Sequence, residues 1–401
     1  MIENSIVYRD FKGKYDYLPL SKAEGSLIWD RGGKRYIDFS SAWNVTNLGW
    51  NNPEVSDAIV EQAKKNVQGL LWGSDPIQEE YAKALTGALP KELDACIKET
   101  SGTESVEAAI KVARVYTGRS KVIGFNAQYH GQLFATLAIG YLKNSHPKLE
   151  PLVPDIAPIA FPHDKISEDD WQKFLLELEG MLAKEDVAAV ITEPGIITGW
   201  GSTLVAYPGF LVKLRELAAK YGTLLIVDEV GTGFSRTGKL FGIQHEGVVP
   251  DMIALAKGMS NGAAAIGAVV GKSEIFEKAF SESILVSTFG WAPIACAASL
   301  KVLQIHLRDK VWEMAEKKGN YLKERLKTHI GEALVDVRGL GLEIGARFKD
   351  AETCSRIQKA CFADGLHVVV GSKDNMQIMP PLSIPPELLE EGLNILIRNL
   401  K

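Results

Sequence analysis

Short apolar runs that end on a charge stand out along this chain. Leu224 to Val227 contains no polar residue before Asp228, and Ala254 to Ala256 leads directly into Lys257. Runs of this kind, bounded by glycines, read as strands buried on both faces. Lys121 to Phe125 and Val187 to Thr192 read the same way. Residues 24–39 alternate apolar and polar positions around Gly32-Gly33, which predicts a hairpin. Helical periods are predicted from about 54 to 67, after Ser101 (Val106, Ala109, Ile110, Ala113), and from roughly 208 to 220. From about 293 onward helices dominate, with strands near 335–348 and 366–370. This predicts an α/β chain with a separate C-terminal subdomain.

Composition adds mainly exclusions. The 401 residues are 24% charged and 46% hydrophobic, enough for a large core and, by length, for two domains. A net charge of −5 gives no hint of nucleic acid or an anionic membrane as partner. No apolar run reaches transmembrane length, and Met1-Ile2-Glu3-Asn4 lacks the basic and apolar regions of a signal peptide. Cys96, Cys296, Cys354 and Cys361 are scattered without metal-ligand spacing, as expected of reduced cytosolic thiols.

Charges at strand ends are costly to desolvate unless they have partners. In open α/β sheets, ligands sit beyond the carboxyl ends of the strands. Asp228 and Lys257 are therefore expected to meet there on one cofactor; a buried salt bridge, or two charges that simply reach solvent, is the alternative. Ser101-Gly102-Thr103-Glu104 fits a capping box, and the helix start it predicts offers N–H groups to a phosphate. Tyr129, at the exit of the 121–125 strand, is placed to stack on a planar ligand. Trp43 and Trp72 fall in loops, where they either line a pocket or cover the core.

Of three short motifs, one is weak and two fail on inspection. Gly258-Met259-Ser260-Asn261-Gly262 matches the serine-hydrolase elbow, but Ala263 to Val270 reads as a small-residue strand rather than the helix an elbow requires. Gly267 to Ser273 is one residue too short for a phosphate-binding loop, and the last glycine of Gly339 to Gly345 comes one residue late for a dinucleotide fingerprint.

Taken in order, a set of stretches resembles the class III aminotransferases, a pyridoxal-phosphate family of fold type I. The set is Ser101 to Lys111, Tyr129-His130-Gly131, Glu193-Pro194, Asp228-Glu229-Val230 with Thr232-Gly233, Arg236-Thr237-Gly238, Lys257-Gly258 and Thr288-Phe289-Gly290. Val337-Arg338-Gly339 and Pro380-Pro381-Leu382 extend it into the C-terminal part. The resemblance implies a large cofactor-binding domain over 51–294, with a mostly parallel seven-stranded sheet flanked by helices. It implies a small α+β domain built from 1–50 and 295–401.

The resemblance also implies roles. Lys257 would hold pyridoxal 5'-phosphate as an internal Schiff base and then act as general base. Asp228 would keep the pyridine nitrogen protonated. Ser101, Gly102 and Thr103 would bind phosphate, joined by Thr288 from the neighbouring subunit of a homodimer. Tyr129, His130, Glu193 and Val230 would complete the cofactor site, and Arg236 would be structural. No metal is implied.

Three departures bear on substrate. Many members carry an arginine for an α-carboxylate where this chain has Gln377, and a neutral amide cannot make that bidentate ion pair. Gly231 stands where a glutamine is common, and Trp291 where a small residue is common. Trp43, Trp72, Tyr129, Trp291 and Gln377 are thus the expected substrate contacts, with the tryptophans as aromatic walls. Lys373 reads as a solvated surface lysine. The expected reaction moves an amino group from a primary amine or ω-amino acid to a keto acid such as pyruvate. A glutamate-1-semialdehyde aminomutase, sharing Tyr116-Thr117-Gly118-Arg119 and Thr232-Gly233-Phe234, is the nearest rival. A racemase or decarboxylase on the same scaffold, a serine hydrolase using Ser260 and a non-catalytic cofactor binder are more remote.

Overall fold

The computed structural model describes residues 18–65, 75–140, 149–199 and 203–401. Trp72 lies outside them. An N-terminal meander of β1 (Leu20–Glu24), β2 (Leu27–Asp30) and β3 (Arg35–Asp38) contains the predicted hairpin. Beyond it, Ser41, Ala42, Trp43 and Asn44 all have positive φ, between 45° and 67°, forming a left-handed turn. For residues with a Cβ this is strained and persists only when tied down.

The central sheet contains β4 (Ala95–Glu99), β5 (Lys121–Phe125), β6 (Ile156–Ile159), β7 (Val187–Thr192), β8 (Leu224–Asp228), β9 (Met252–Leu255) and β10 (Gly267–Gly271). Its order is β4-β10-β9-β8-β7-β5-β6. β10 runs antiparallel to both neighbours, and the other pairs are parallel. β7, β8 and β9 are buried throughout, which is why they read as unbroken apolar runs rather than alternating ones. Their side chains still divide by parity. Leu225 and Val227 join one core with Phe210, Leu211 and Leu214 of the helix Phe210–Lys220. Leu224 and Ile226 join the other with Val106, Ala109, Ile110 and Ala113 of the helix Gly102–Thr117. The alanines let that helix lie close to the sheet.

The remaining strands are β11 (Leu334–Leu340), β12 (Glu343–Phe348), β13 (Leu366–His367), β14 (Val369–Ser372) and β15 (Asn375–Ile378). They make an antiparallel sheet in the order β11-β12-β15-β14, while β13 pairs in parallel with β3. The first and last parts of the described chain are thereby joined. β15 was not anticipated. Asn375 and Gln377 are fully buried in it, and buried amides hide a strand from any apolar pattern.

Candidate active site

Elements of the central sheet converge at one end. Asp228 closes β8, Lys257 lies two residues past β9, Glu193 follows β7, and Tyr129 and His130 follow β5. The helix Gly102–Thr117 starts just beyond β4. These carboxyl ends enclose a cavity of about 300 Å³. Its lining includes Ser101, Gly102, Thr103, Tyr129, His130, Glu193, Asp228, Val230 and Lys257, all named from the sequence. The rest includes Val45, Thr198, Gly199, Gly231 and Ser260.

The charged groups are individually fixed. Asp228 Oδ1 accepts from Val230 N at 2.8 Å, and its Oδ2 lies 2.7 Å from His130 Nδ1. Glu193 Oε2 accepts from the backbone N and hydroxyl of Thr198, at 2.7 and 2.6 Å. Its Oε1 is buried without a partner among the described residues. Burial, reinforced by the Asp228 charge, raises the Glu193 carboxyl to about 7. Burial pulls the Lys257 amine down, against the opposing charges of Glu193, Asp228 and Glu343. An amine so shifted is closer to the neutral, nucleophilic form. Lys257 has φ 44°, a strained conformation of the kind found at functional sites.

The site fits pyridoxal phosphate on its own geometry. The first turn of the helix Gly102–Thr117 leaves N–H groups without intrahelical acceptors, at the positive end of a sixteen-residue helix. A Cβ at Gly102 would lie 2.7 Å from Val230, and one at Gly131, whose φ is +135°, would lie 1.6 Å from Thr103 Oγ1. Only glycine leaves this cradle open. Capping here is half of the expected box: Ser101 accepts from Glu104 N at 3.3 Å, but the Glu104 carboxylate reaches past Ser101 to Thr100 N at 2.9 Å. Gly231 also has a spatial reason. A Cβ there would meet Thr198 Oγ1 at 2.0 Å, so the Thr198 hydroxyl fills the room a larger residue would need.

The Aminotransferase class-III family profile matches residues 11–400. An acetylornithine aminotransferase of Methanopyrus kandleri is 36% identical over 375 residues, covering 93% of this chain and 92% of its own. A solved (S)-enantioselective omega-transaminase from Thermomicrobium roseum superposes with a TM-score of 0.89 at 29% identity, covering 100% of this chain and 96% of its own. An ornithine aminotransferase from Toxoplasma gondii, whose crystals show partial occupancy of pyridoxal phosphate at the active site, does so with a TM-score of 0.86 at 27% identity, covering 97% and 91%. The chain belongs to the class III aminotransferases and is a pyridoxal-phosphate enzyme.

The expected substrate contacts divide. Trp43 lies in the left-handed turn close to Val45, which lines the cavity. Trp291, expected to wall the pocket, is instead a core residue. It is 2% exposed, its ring sits 5.0 Å from that of Tyr81, and its indole N–H donates to Gly267 O at 2.8 Å. Bulk in a loop motif looked like a pocket wall, but here it fills the space beside β10. Gln377 is buried one layer behind the cavity. Its Nε2 donates to Thr198 O at 3.0 Å and Glu343 Oε1 at 3.2 Å. Thr288 is exposed and does not line this cavity.

Arg236 is buried and donates to Leu342 O, Pro380 O and Asn47 Oδ1, in keeping with its structural reading. The hydrolase reading falls: Ser260 ends a 3-10 turn, and its hydroxyl donates to Ala264 O at 2.6 Å rather than to a histidine. Two residues went unnoticed in the sequence. Thr198 lacked any motif, and Glu343 sat inside a glycine-rich run judged only for nucleotide spacing.

Proposed function

We propose that this enzyme transfers the amino group of a primary amine or ω-amino acid to a keto acid such as pyruvate. The observation that carries this reading is the side chain at 377. It is an amide, already committed to Thr198 and Glu343. Among the described residues lining the cavity, Lys257 is the only lysine or arginine. A donor carrying a carboxylate beside its reacting amine thus finds no bidentate partner there.

When bound, pyridoxal phosphate supplies a carbonyl that captures the amine and a ring that withdraws electrons from it. In this reading Lys257 anchors the cofactor and, once displaced by the donor, moves a proton at the substrate carbon through Nζ. Asp228, fixed from both sides, offers its carboxyl group to the ring nitrogen. The N–H groups of Gly102 and Thr103 hold the phosphate, and Tyr129 covers one ring face. Glu193 Oε1 supplies a buried acceptor at the cavity wall. Exposed Thr288, with Ile284, Val286 and Phe289 exposed nearby, supports a homodimer in which Thr288 reaches the partner's phosphate.

A second reading follows the Methanopyrus kandleri relative, named an acetylornithine aminotransferase. The free amine of acetylornithine is the terminal one, remote from its carboxylate, so the amide at 377 weighs against α-amino acid donors but not against this one. The test is the visible spectrum of the enzyme titrated with an arylalkyl amine, an ω-amino acid and an α-amino acid, with no acceptor present. The reading expects the cofactor band to fade with the amine and return with pyruvate. Fading with the α-amino acid alone would overturn it.

A further inference from the structure

Glu343 opens β12 and is fully buried. Its Oε2 accepts from Asn44 Nδ2 at 2.7 Å and its Oε1 from Gln377 Nε2 at 3.2 Å. Each amide belongs to a different wall. Asn44 ends the left-handed turn, one residue before Val45, which lines the cavity. Gln377 also holds the backbone oxygen of Thr198, a second lining residue. The strained turn is further anchored by Ser41 Oγ, which donates to Met379 O at 2.6 Å, and by Val45 N, which donates to Ser41 O at 2.8 Å.

Burial raises the Glu343 carboxyl to about 7, and the Arg236 charge is the leading influence that opposes this shift. The hydrogen bonds of the Arg236 guanidinium to the described residues go to carbonyl and amide oxygens, so no direct carboxylate contact there competes for its field. Two amide N–H groups and a nearby guanidinium are what a buried carboxylate needs, and behind the cavity the chain fills that place with its own acid.

We propose that Glu343 is a positioning residue that sets donor preference, tying both walls of the substrate side together from behind the cavity and holding the side chain at 377 away from substrate. The inference rests on the amine-donor reading above. It implies that Gln377→Arg alone does not create a carboxylate site, because the introduced guanidinium lies beside Glu343 and pairs with it internally. It also implies that removing the acid leaves an anion site behind the cavity.

The experiment compares wild-type holoenzyme with Glu343→Ala, Glu343→Gln, Gln377→Arg and the double variant Gln377→Arg/Glu343→Ala. Glu343→Ala should raise KM for the arylalkyl amine about tenfold, the scale of one lost hydrogen bond to a charged group, with kcat nearly unchanged. Excess formate should restore KM, and should raise the thermal midpoint of Glu343→Ala but not of wild type. Glu343→Gln, which keeps the volume, should show a smaller KM rise without formate rescue. The double variant should shift the kcat/KM ratio toward an α-amino acid at least about tenfold, while Gln377→Arg alone does not. A full shift from Gln377→Arg alone, or formate acting on neither KM nor midpoint, would overturn the proposal. Should Glu343→Ala fail to fold, the Glu343→Gln KM and the Gln377→Arg ratio decide it. Wild type that turns over none of the donors would defeat the proposed function, whereas the formate midpoints would still judge the role of Glu343.

Discussion

His130 Nδ1 lies 2.7 Å from Asp228 Oδ2, and the other ring nitrogen lies 3.2 Å from Gln128 Oε1. Gln128 is itself oriented by donating to Thr192 Oγ1 at 2.8 Å. The imidazole is therefore held between two side-chain oxygens, and Asp228 has one oxygen beside a ring nitrogen and the other on a backbone N–H. His130→Ala would free one Asp228 oxygen and let the carboxylate turn. We expect kcat/KM to fall about tenfold to a hundredfold, the range for one hydrogen bond to a charged group. Activity within twofold of wild type would show that the Val230 amide alone positions Asp228.

Lys257 combines a strained backbone, a lowered amine pKa and a place in the cavity, so its removal should separate binding from chemistry. Lys257→Ala should abolish turnover with every donor while still binding pyridoxal phosphate through the helix start and Asp228. Borohydride treatment followed by denaturation should fix cofactor to wild type and none to the variant. Cofactor covalently retained by the variant would place the attachment elsewhere.

Trp291 gives a prediction opposite in kind. Its burial, its contact with Tyr81 and its hydrogen bond to Gly267 make it a support for β10 rather than a selector of substrate. Trp291→Ala should destabilise the protein by about 3–5 kcal/mol, the cost of emptying a large core site. The ratio of kcat/KM between amine and α-amino acid donors should stay near that of wild type. Denaturant unfolding and paired kinetics read the two effects apart, and a changed ratio with intact stability would return Trp291 to the pocket.

The strands that carry Asp228 and Lys257 were legible because parallel strands covered on both faces leave long apolar runs, so a terminal charge stands out. The phosphate cradle was legible because Gly102 and the Ser101 cap are local signals. β15 and the Glu343–Gln377 contact were not, because the partners their polar residues do find lie far away in sequence. Asn44 and Glu343 are 299 residues apart in the chain. The left-handed turn at Ser41–Asn44 was also hidden, since none of its residues is a glycine. Trp291 shows the reverse error: a large ring in a familiar motif reveals its size but not which way it faces.

Glu229, next to Asp228, is buried and accepts from the Thr232 hydroxyl and from Ile243 N at 2.8 Å. Burial raises its carboxyl from 4.5 to about 7. Between those values the folded state holds a proton that the unfolded chain has released. This group's contribution to stability therefore declines as pH rises from 4.5 to about 7, and is flat above. Glu229→Gln removes that dependence, whatever constant offset its altered hydrogen bonds bring. Denaturant unfolding at several pH values should show the variant gaining on wild type across this interval. A difference independent of pH would mean that Glu229 is ionised in the folded protein throughout.

Thr288 lies in a stretch where Ile284, Val286 and Phe289 are 87%, 62% and 67% exposed. A patch of this kind is costly on an isolated chain and favours a self-complementary contact with a second copy. In the proposed dimer, Phe289 contributes to the contact and Thr288 delivers a hydroxyl to the partner's phosphate. The two side chains should then fail differently. Phe289→Glu should shift the protein toward monomer in sedimentation and weaken cofactor retention as a consequence. Thr288→Ala should leave the dimer intact and weaken pyridoxal-phosphate binding about tenfold, as expected for one hydrogen bond to a charged phosphate. Mixing inactive Lys257→Ala subunits with Thr288→Ala subunits sharpens the test. If Thr288 acts across the interface, the mixed dimer pairs an intact Lys257 with an intact partner threonine at one of its sites, and tight cofactor binding there returns. If Thr288 acts within its own subunit, no site in the mixture combines the two, and mixing restores nothing.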